Sequence, residues 1–165
     1  MKLYLMRHGV AIDREDPECP PDPERYLTPD GVERTRAAAQ GLLELKVKPH
    51  ALFTSPYVRA VQTGEIVCEA LDIDPSTLHA TEALKPEAKP ARLAEEVGKI
   101  RAGEVICFGH APQLDEFIAY AVRAEVPITS LRKAGVACLD VESFSVPRAE
   151  LVWLLTAKAL RKLGK

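Results

Sequence analysis

The sequence predicts an α/β protein: a three-layer α/β/α sandwich with a mostly parallel sheet and an antiparallel strand near the C-terminus. Short apolar runs of strand length alternate with longer segments whose apolar residues recur at helical spacing. The run EVICFG, Glu104 to Gly109, is β-prone and apolar on both sides, as a strand buried on two faces must be. The last two apolar runs are separated by a short connection containing Pro147, too short for a crossover helix, so they pair antiparallel.

The elements follow in order. KLYLMR, Lys2 to Arg7, is the first strand. A polar, proline-rich loop runs from Asp13 to Tyr26. Thr28-Pro29 then opens a helix, Thr as N-cap and Pro in the first turn, with Val32, Ala39, Leu42 and Leu43 as its apolar positions. HALFTS, His50 to Ser55, is a second strand. Ser55-Pro56 repeats the cap-plus-proline start, and Ile66, Val67, Ala70 and Leu71 form the buried face of the helix that follows. Leu78 to Ala83 reads as a third strand, and an acidic helix spans Ala91 to Arg101. After the Glu104–Gly109 strand, Gly109-His110-Ala111-Pro112 turns into a helix with an apolar stripe at Leu114, Phe117, Ile118, Ala121 and Val122. Gly135 to Val141 and Glu150 to Thr156 are closing strands, and a basic helical tail covers Lys158 to Lys165.

Residues 1–165 are read as a single domain, large enough to bury roughly 70% of the surface of the unfolded chain. A net charge of −2 gives no support to a polyanion partner such as nucleic acid. No apolar stretch approaches the roughly 20 residues of a membrane span, and the apolar run after Lys2 is too short for a signal peptide, so a cytoplasmic protein is expected. Cys19, Cys68, Cys107 and Cys138 are far apart and form no CxxC pair, which argues against a zinc site.

The chemistry collects at three strand-to-helix turns. The first strand ends in Arg7-His8-Gly9, the second leads into a helix whose first turn carries Arg59, and the Glu104–Gly109 strand ends in His110. In an open parallel sheet the carboxyl ends of the strands share one rim, where ligands bind. Two Arg and two His converging there suit a compact dianion such as phosphate or sulfate, because a guanidinium fork matches its oxygens. Gly9 would let the backbone approach that ligand closely. Arg cannot lose a proton and can only clamp, whereas a neutral imidazole can attack phosphorus and carry the phosphoryl group. Cys19-Pro20-Pro21-Asp22-Pro23-Glu24-Arg25 has the C-x5-R spacing of cysteine-dependent phosphatases, but its prolines lack the N–H groups that such a loop needs and its acids repel an anion.

Arg7-His8-Gly9, Leu27-Thr28-Pro29-Asp30-Gly31, the run from Ser55-Pro56 through Arg59 to Gln62-Thr63, and Gly109-His110 together resemble the histidine phosphatase (phosphoglycerate mutase-like) superfamily. The length and the Arg25-Tyr26-Leu27-Thr28 run look most like its short branch of SixA-type phosphohistidine phosphatases. The resemblance implies that His8 is the phospho-accepting nucleophile and that Arg7, Arg59 and His110 hold the phosphoryl oxygens. It implies that Arg25 can face the substrate, and it implies no metal and no cofactor. Larger relatives use a Glu as proton donor; Glu82 is the candidate here but sits in no clear motif.

A strong clamp without a clear acid fits P–N cleavage, since imidazole leaves far more readily than an alkoxide. The segment between Arg59 and His110 leaves little room for a lid, which suits a phosphorylated protein such as a histidine phosphotransfer domain. A small phosphorylated metabolite handled by a phosphomonoesterase or mutase, and a non-catalytic phospho-ligand module, are the alternatives.

Overall fold

The computed structural model describes residues 1–165. Six strands form one sheet: β1 (Lys2–Arg7), β2 (Ala51–Thr54), β3 (Leu78–Ala80), β4 (Glu104–Gly109), β5 (Val136–Ser143) and β6 (Arg148–Leu155). Their order is β3-β2-β4-β1-β5-β6. β1, β2, β3 and β4 pair in parallel, and β5 runs antiparallel to both of its neighbours, β1 and β6. The helices are α1 (Pro29–Glu44), α2 (Val58–Ala70), α3 (Pro90–Gly98), α4 (Gln113–Val122) and α5 (Ala157–Leu163).

The three layers follow from the two-residue period of a strand. Leu3 and Leu5 of β1, with Val105, Cys107, Ala137 and Leu139, pack against Leu93 and Val97 of α3 and Leu114, Phe117 and Ile118 of α4. The intervening residues Tyr4 and Met6, with Ile106, Phe108, Val136 and Cys138, face Ala38 and Leu42 of α1, Val67 of α2 and Leu160 of α5. Covering both faces leaves β1 and β4 almost entirely buried, which explains their near-continuous apolar sequences.

Several elements differ from the sequence expectation. Leu43 is exposed, and α1 buries Gly31, Thr35, Ala38, Ala39, Gly41 and Leu42 instead. Small residues on that face let neighbouring backbone come close: a Cβ on Gly41 would stand 2.2 Å from the Leu160 carbonyl oxygen of α5. The third strand stops at Ala80, because the Thr81 side chain accepts the Ala83 N–H and starts a 3-10 turn over Glu82–Leu84. The acidic helix ends at Gly98 rather than Arg101. The helix expected from Ser55-Pro56 begins only at Val58, so Pro56 is not part of its first turn.

Candidate active site

Backbone hydrogen bonds fasten the ends of three adjacent strands to one another. The His8 N–H, one residue past β1, donates to the Gly109 carbonyl at the end of β4 at 3.0 Å. The Ser55 N–H, one residue past β2, donates to the Phe108 carbonyl at 2.9 Å. The order β2-β4-β1 therefore brings Ser55, His110 and His8 to one rim, and the two imidazole rings stand 5.2 Å apart, centroid to centroid.

His8 is only 6% exposed, and its Nδ1 lies 2.7 Å from the Gly9 carbonyl oxygen. A carbonyl can only accept, so Nδ1 carries the proton and Nε2 keeps its lone pair. Arg59 Nε, which can only donate, points at that same Nε2 from 3.3 Å and requires the same tautomer. Burial, first, and the Arg59 and Arg7 charges lower the His8 pKa to about 3, against an opposing contribution from the Gly9 carbonyl. The ring is thus neutral at physiological pH, as a nucleophile must be.

His110 is held by Ser55, whose Oγ lies 2.8 Å from Nε2, and the Tyr57 ring packs against it at 5.3 Å. Burial, then His8 and Arg59, lower its pKa to about 2. Its Nδ1 is buried with no hydrogen-bond partner in the protein, and so is Nε of Arg7. Two such groups on one rim are suited to the oxygens of an anion.

The two arginines are anchored differently. Arg7 Nη1 donates to the Leu131 carbonyl at 2.9 Å. The loop carrying Leu131 is pinned by Asp115, a buried residue in the first turn of α4 whose Oδ1 accepts from Thr129 Oγ1 at 2.6 Å and from the Leu131 N–H at 3.0 Å. Arg59, in the first turn of α2, lies with its guanidinium carbon 5.2 Å from the Tyr57 ring centroid. It donates to Asp22 twice, from Nη1 to the backbone carbonyl at 2.7 Å and from Nη2 to Oδ2 at 3.4 Å. Thr63 couples α2 to the His8–Gly9 turn, donating to the Arg59 carbonyl at 2.8 Å and accepting the Gly9 N–H at 3.0 Å.

Three expected site residues have other surroundings. Each Arg25 nitrogen has a protein acceptor: Nε and Nη2 donate to the Ile12 carbonyl at 3.1 and 2.8 Å, and Nη1 donates to Asp22 Oδ1 at 3.2 Å. Gly9 permits a close approach to α1, since a Cβ there would stand 2.2 Å from Thr35 Oγ1, and its N–H is taken by Thr63. Glu82 is 54% exposed at its side chain and pairs with Lys85 rather than facing the histidines.

Sequence reasoning missed Asp22, Asp115 and the His110 contact of Ser55. Asp22 lay within the Cys19–Arg25 string, where it counted only as an anion-repelling acid. Asp115 follows Leu114 at the start of the apolar-striped helix, and its burial is visible only in the structure. No group of three or more His, Cys, Asp or Glu side chains is close enough to hold a metal ion.

Residues 3–85 match the family described as "Histidine phosphatase superfamily (branch 1)". The chain is 33% identical over 140 residues to an uncharacterized protein of Picosynechococcus sp. (strain ATCC 27264 / PCC 7002 / PR-6), covering 82% of each. It is 28% identical over 138 residues to the phosphohistidine phosphatase SixA of Escherichia coli (strain K12), covering 77% of this chain and 78% of that one. Its fold superposes on the protein histidine phosphatase SixA complexed with tungstate with a TM-score of 0.85 at 23% identity, covering 97% of this chain and 99% of the other. A pinned imidazole between two arginines and a second histidine, the matched residues and the shared fold have one common meaning: the chain belongs to branch 1 of the histidine phosphatase superfamily.

Proposed function

We propose that this phosphatase hydrolyses phosphohistidine on a protein through a covalent intermediate on its own His8. The observation that carries the reading is the neutral, buried His8 ring, with Nδ1 hydrogen-bonded to Gly9 and the Nε2 lone pair beside Arg59 and His110. The E. coli relative's name, phosphohistidine phosphatase, supports the substrate class.

In the first step His8 Nε2 forms a bond to phosphorus while the P–N bond of the substrate breaks. The substrate nitrogen keeps the electron pair of that bond. If its ring is already protonated on the other nitrogen, it departs as neutral imidazole and needs no proton from the enzyme. Arg7, Arg59 and His110 bind the phosphoryl oxygens and offset their charge in the transition state. Phospho-His8 is then cationic, because Nδ1 keeps the proton that it shares with the Gly9 carbonyl. Attack by water at phosphorus returns the electron pair to Nε2 and releases inorganic phosphate, again with a neutral imidazole as leaving group. The Gly9 carbonyl thus prepares His8 both to attack and to leave.

The same logic accounts for the acids. Glu82 is exposed and engaged with Lys85, and Asp22 is surrounded by arginines, so neither is suited to protonate an alkoxide. The chain between α2 and β4 is spent on 3-10 turns at Pro75–Thr77 and Glu82–Leu84, on β3 and on α3, which favours a protein-borne substrate over a small enclosed one.

The test is a side-by-side assay of a phosphohistidine-bearing phosphotransfer protein, p-nitrophenyl phosphate and sugar phosphates, together with acid-quench trapping of labelled enzyme. The expected result is fastest turnover on phosphohistidine, an acid-labile label on His8, and none on His8→Ala. Preference for small esters would replace the substrate claim with that of a phosphomonoesterase, and a label-free but active His8→Ala would end the mechanism.

A further inference from the structure

Asp22 stands where three arginines meet. Its Oδ1 accepts from Arg25 Nη1 at 3.2 Å and pairs with Arg14 Nη2 at 3.2 Å, and its Oδ2 accepts from Arg59 Nη2 at 3.4 Å. Its backbone carbonyl takes Arg59 Nη1 at 2.7 Å. Arg25 is fixed in turn by its two bonds to the Ile12 carbonyl, so Asp22 is held from behind by a buried residue. Arg59 has three nitrogens: two face Asp22 and the third, Nε, faces His8 Nε2.

Two consequences follow. Holding Nη1 and Nη2 fixes the plane of the guanidinium, and so fixes the direction in which Nε points. The carboxylate also engages the same fork that a phosphoryl oxygen would use, and carries the same sign of charge. Burial raises the Asp22 pKa, but the hydrogen bonds and charges of Arg25, Arg59 and Arg14 more than reverse this and leave it below the ordinary carboxylate value. Asp22 is therefore a fixed negative charge rather than a proton donor.

We infer that Asp22 is a positioning residue that aims Arg59 at the nucleophile and, as a resident competitor for the Arg59 fork, keeps inorganic phosphate from lingering. The inference rests on the phosphate-handling role proposed for His8. It predicts opposite signs for two measurements, because removing the charge loosens the aim of Arg59 while freeing positive charge for the anion.

The test compares wild type with Asp22→Asn, Asp22→Ala and Asp22→Glu, using inorganic phosphate in calorimetry and phosphoramidate as a P–N substrate probe. Asp22→Asn is expected to bind phosphate on the order of tenfold tighter, a modest factor because the carboxylate is partly exposed and screened, and to turn over several-fold more slowly. Asp22→Glu should return toward wild type in both. Asp22→Ala keeps the backbone carbonyl bond to Arg59 and serves as a second neutral variant if Asn folds poorly. A merely structural role would weaken phosphate binding and turnover together, and that result, or unchanged phosphate affinity in a folded neutral variant, overturns the inference. Failure of the catalytic reading shows separately, as wild-type enzyme that binds phosphate but never becomes labelled on His8.

Discussion

His8 and His110 sit one residue beyond paired strands, whereas Asp22 and Arg25 sit on an irregular loop held by side chains. In the first region, backbone hydrogen bonds such as His8 N–H to the Gly109 carbonyl set the spacing of the two imidazoles. In the second, a one-turn 3-10 helix over Asp22–Glu24 is held to the site by arginine–carboxylate and arginine–carbonyl contacts. The strand-borne half is fixed by a ladder indifferent to salt and to small changes of pH. The loop-borne half is fixed largely by charge, so it can be tuned. The proposed nucleophile is thus on rigid backbone, and the groups proposed to adjust the affinity for the anion are on the adjustable side.

The largest expected effect breaks the link between the halves. Arg59→Ala removes the one side chain that touches both His8 and Asp22, and should lower kcat/KM about 10²- to 10³-fold, the scale for losing one preorganised charge donor. Arg25→Ala should fall short of this, because it acts only through Asp22 and the Ile12 carbonyl, and its loss should shrink as ionic strength rises, since salt screens the Arg25–Asp22 pair. Steady-state kinetics at two salt concentrations tests both statements.

A smaller effect sharpens the comparison through pH. The folded-state pKa of His8 is about 3, below an unfolded value of about 6.5. Between those values the unfolded chain binds a proton that the folded protein refuses, so stability falls as pH drops through 6.5 and goes on falling until about pH 3. At pH 5 the loss from His8 is about 2 kcal/mol relative to pH 7. His110 acts in the same direction, its pKa being lowered to about 2. Urea unfolding at pH 7 and pH 5 should show a smaller drop for His8→Asn than for wild type.

The smallest expected effect lies outside both halves. Glu82→Gln should leave turnover of phosphohistidine within about twofold, since the carboxylate is exposed and paired with Lys85. A loss of about 10²-fold or more would identify it as a general acid and undo the leaving-group argument.

Much of the strand-borne half was legible. The runs KLYLMR and EVICFG mark buried strands by their unbroken apolar character, and the residues just past them lie at the rim where the strands end. The loop-borne half was not legible, because Pro20, Pro21 and Pro23 impose no period on the chain and the partners of Asp22 lie at Arg14, Arg25 and Arg59. Ser55 misled for a related reason. A Ser before a Pro has the form of a helix cap, and its Oγ does accept the Tyr57 N–H at 3.2 Å, yet α2 starts at Val58 and the same oxygen meets His110. Local sequence names a hydrogen-bonding group without naming its partner.

By itself the sequence determined the alternation of strands and helices, the apolar period that buries both faces of the sheet, and the identity of the imidazoles and guanidiniums at the strand ends. Those follow from short-range geometry and from the demand that apolar side chains leave water. Only the tertiary structure decided that Gly9 meets Thr35, that each Arg25 nitrogen finds a protein acceptor, and that Asp22 holds Arg59 directly while Asp115 holds the loop whose carbonyl anchors Arg7. Such contacts join residues far apart along the chain, and their strength depends on burial and direction, which only the folded backbone supplies.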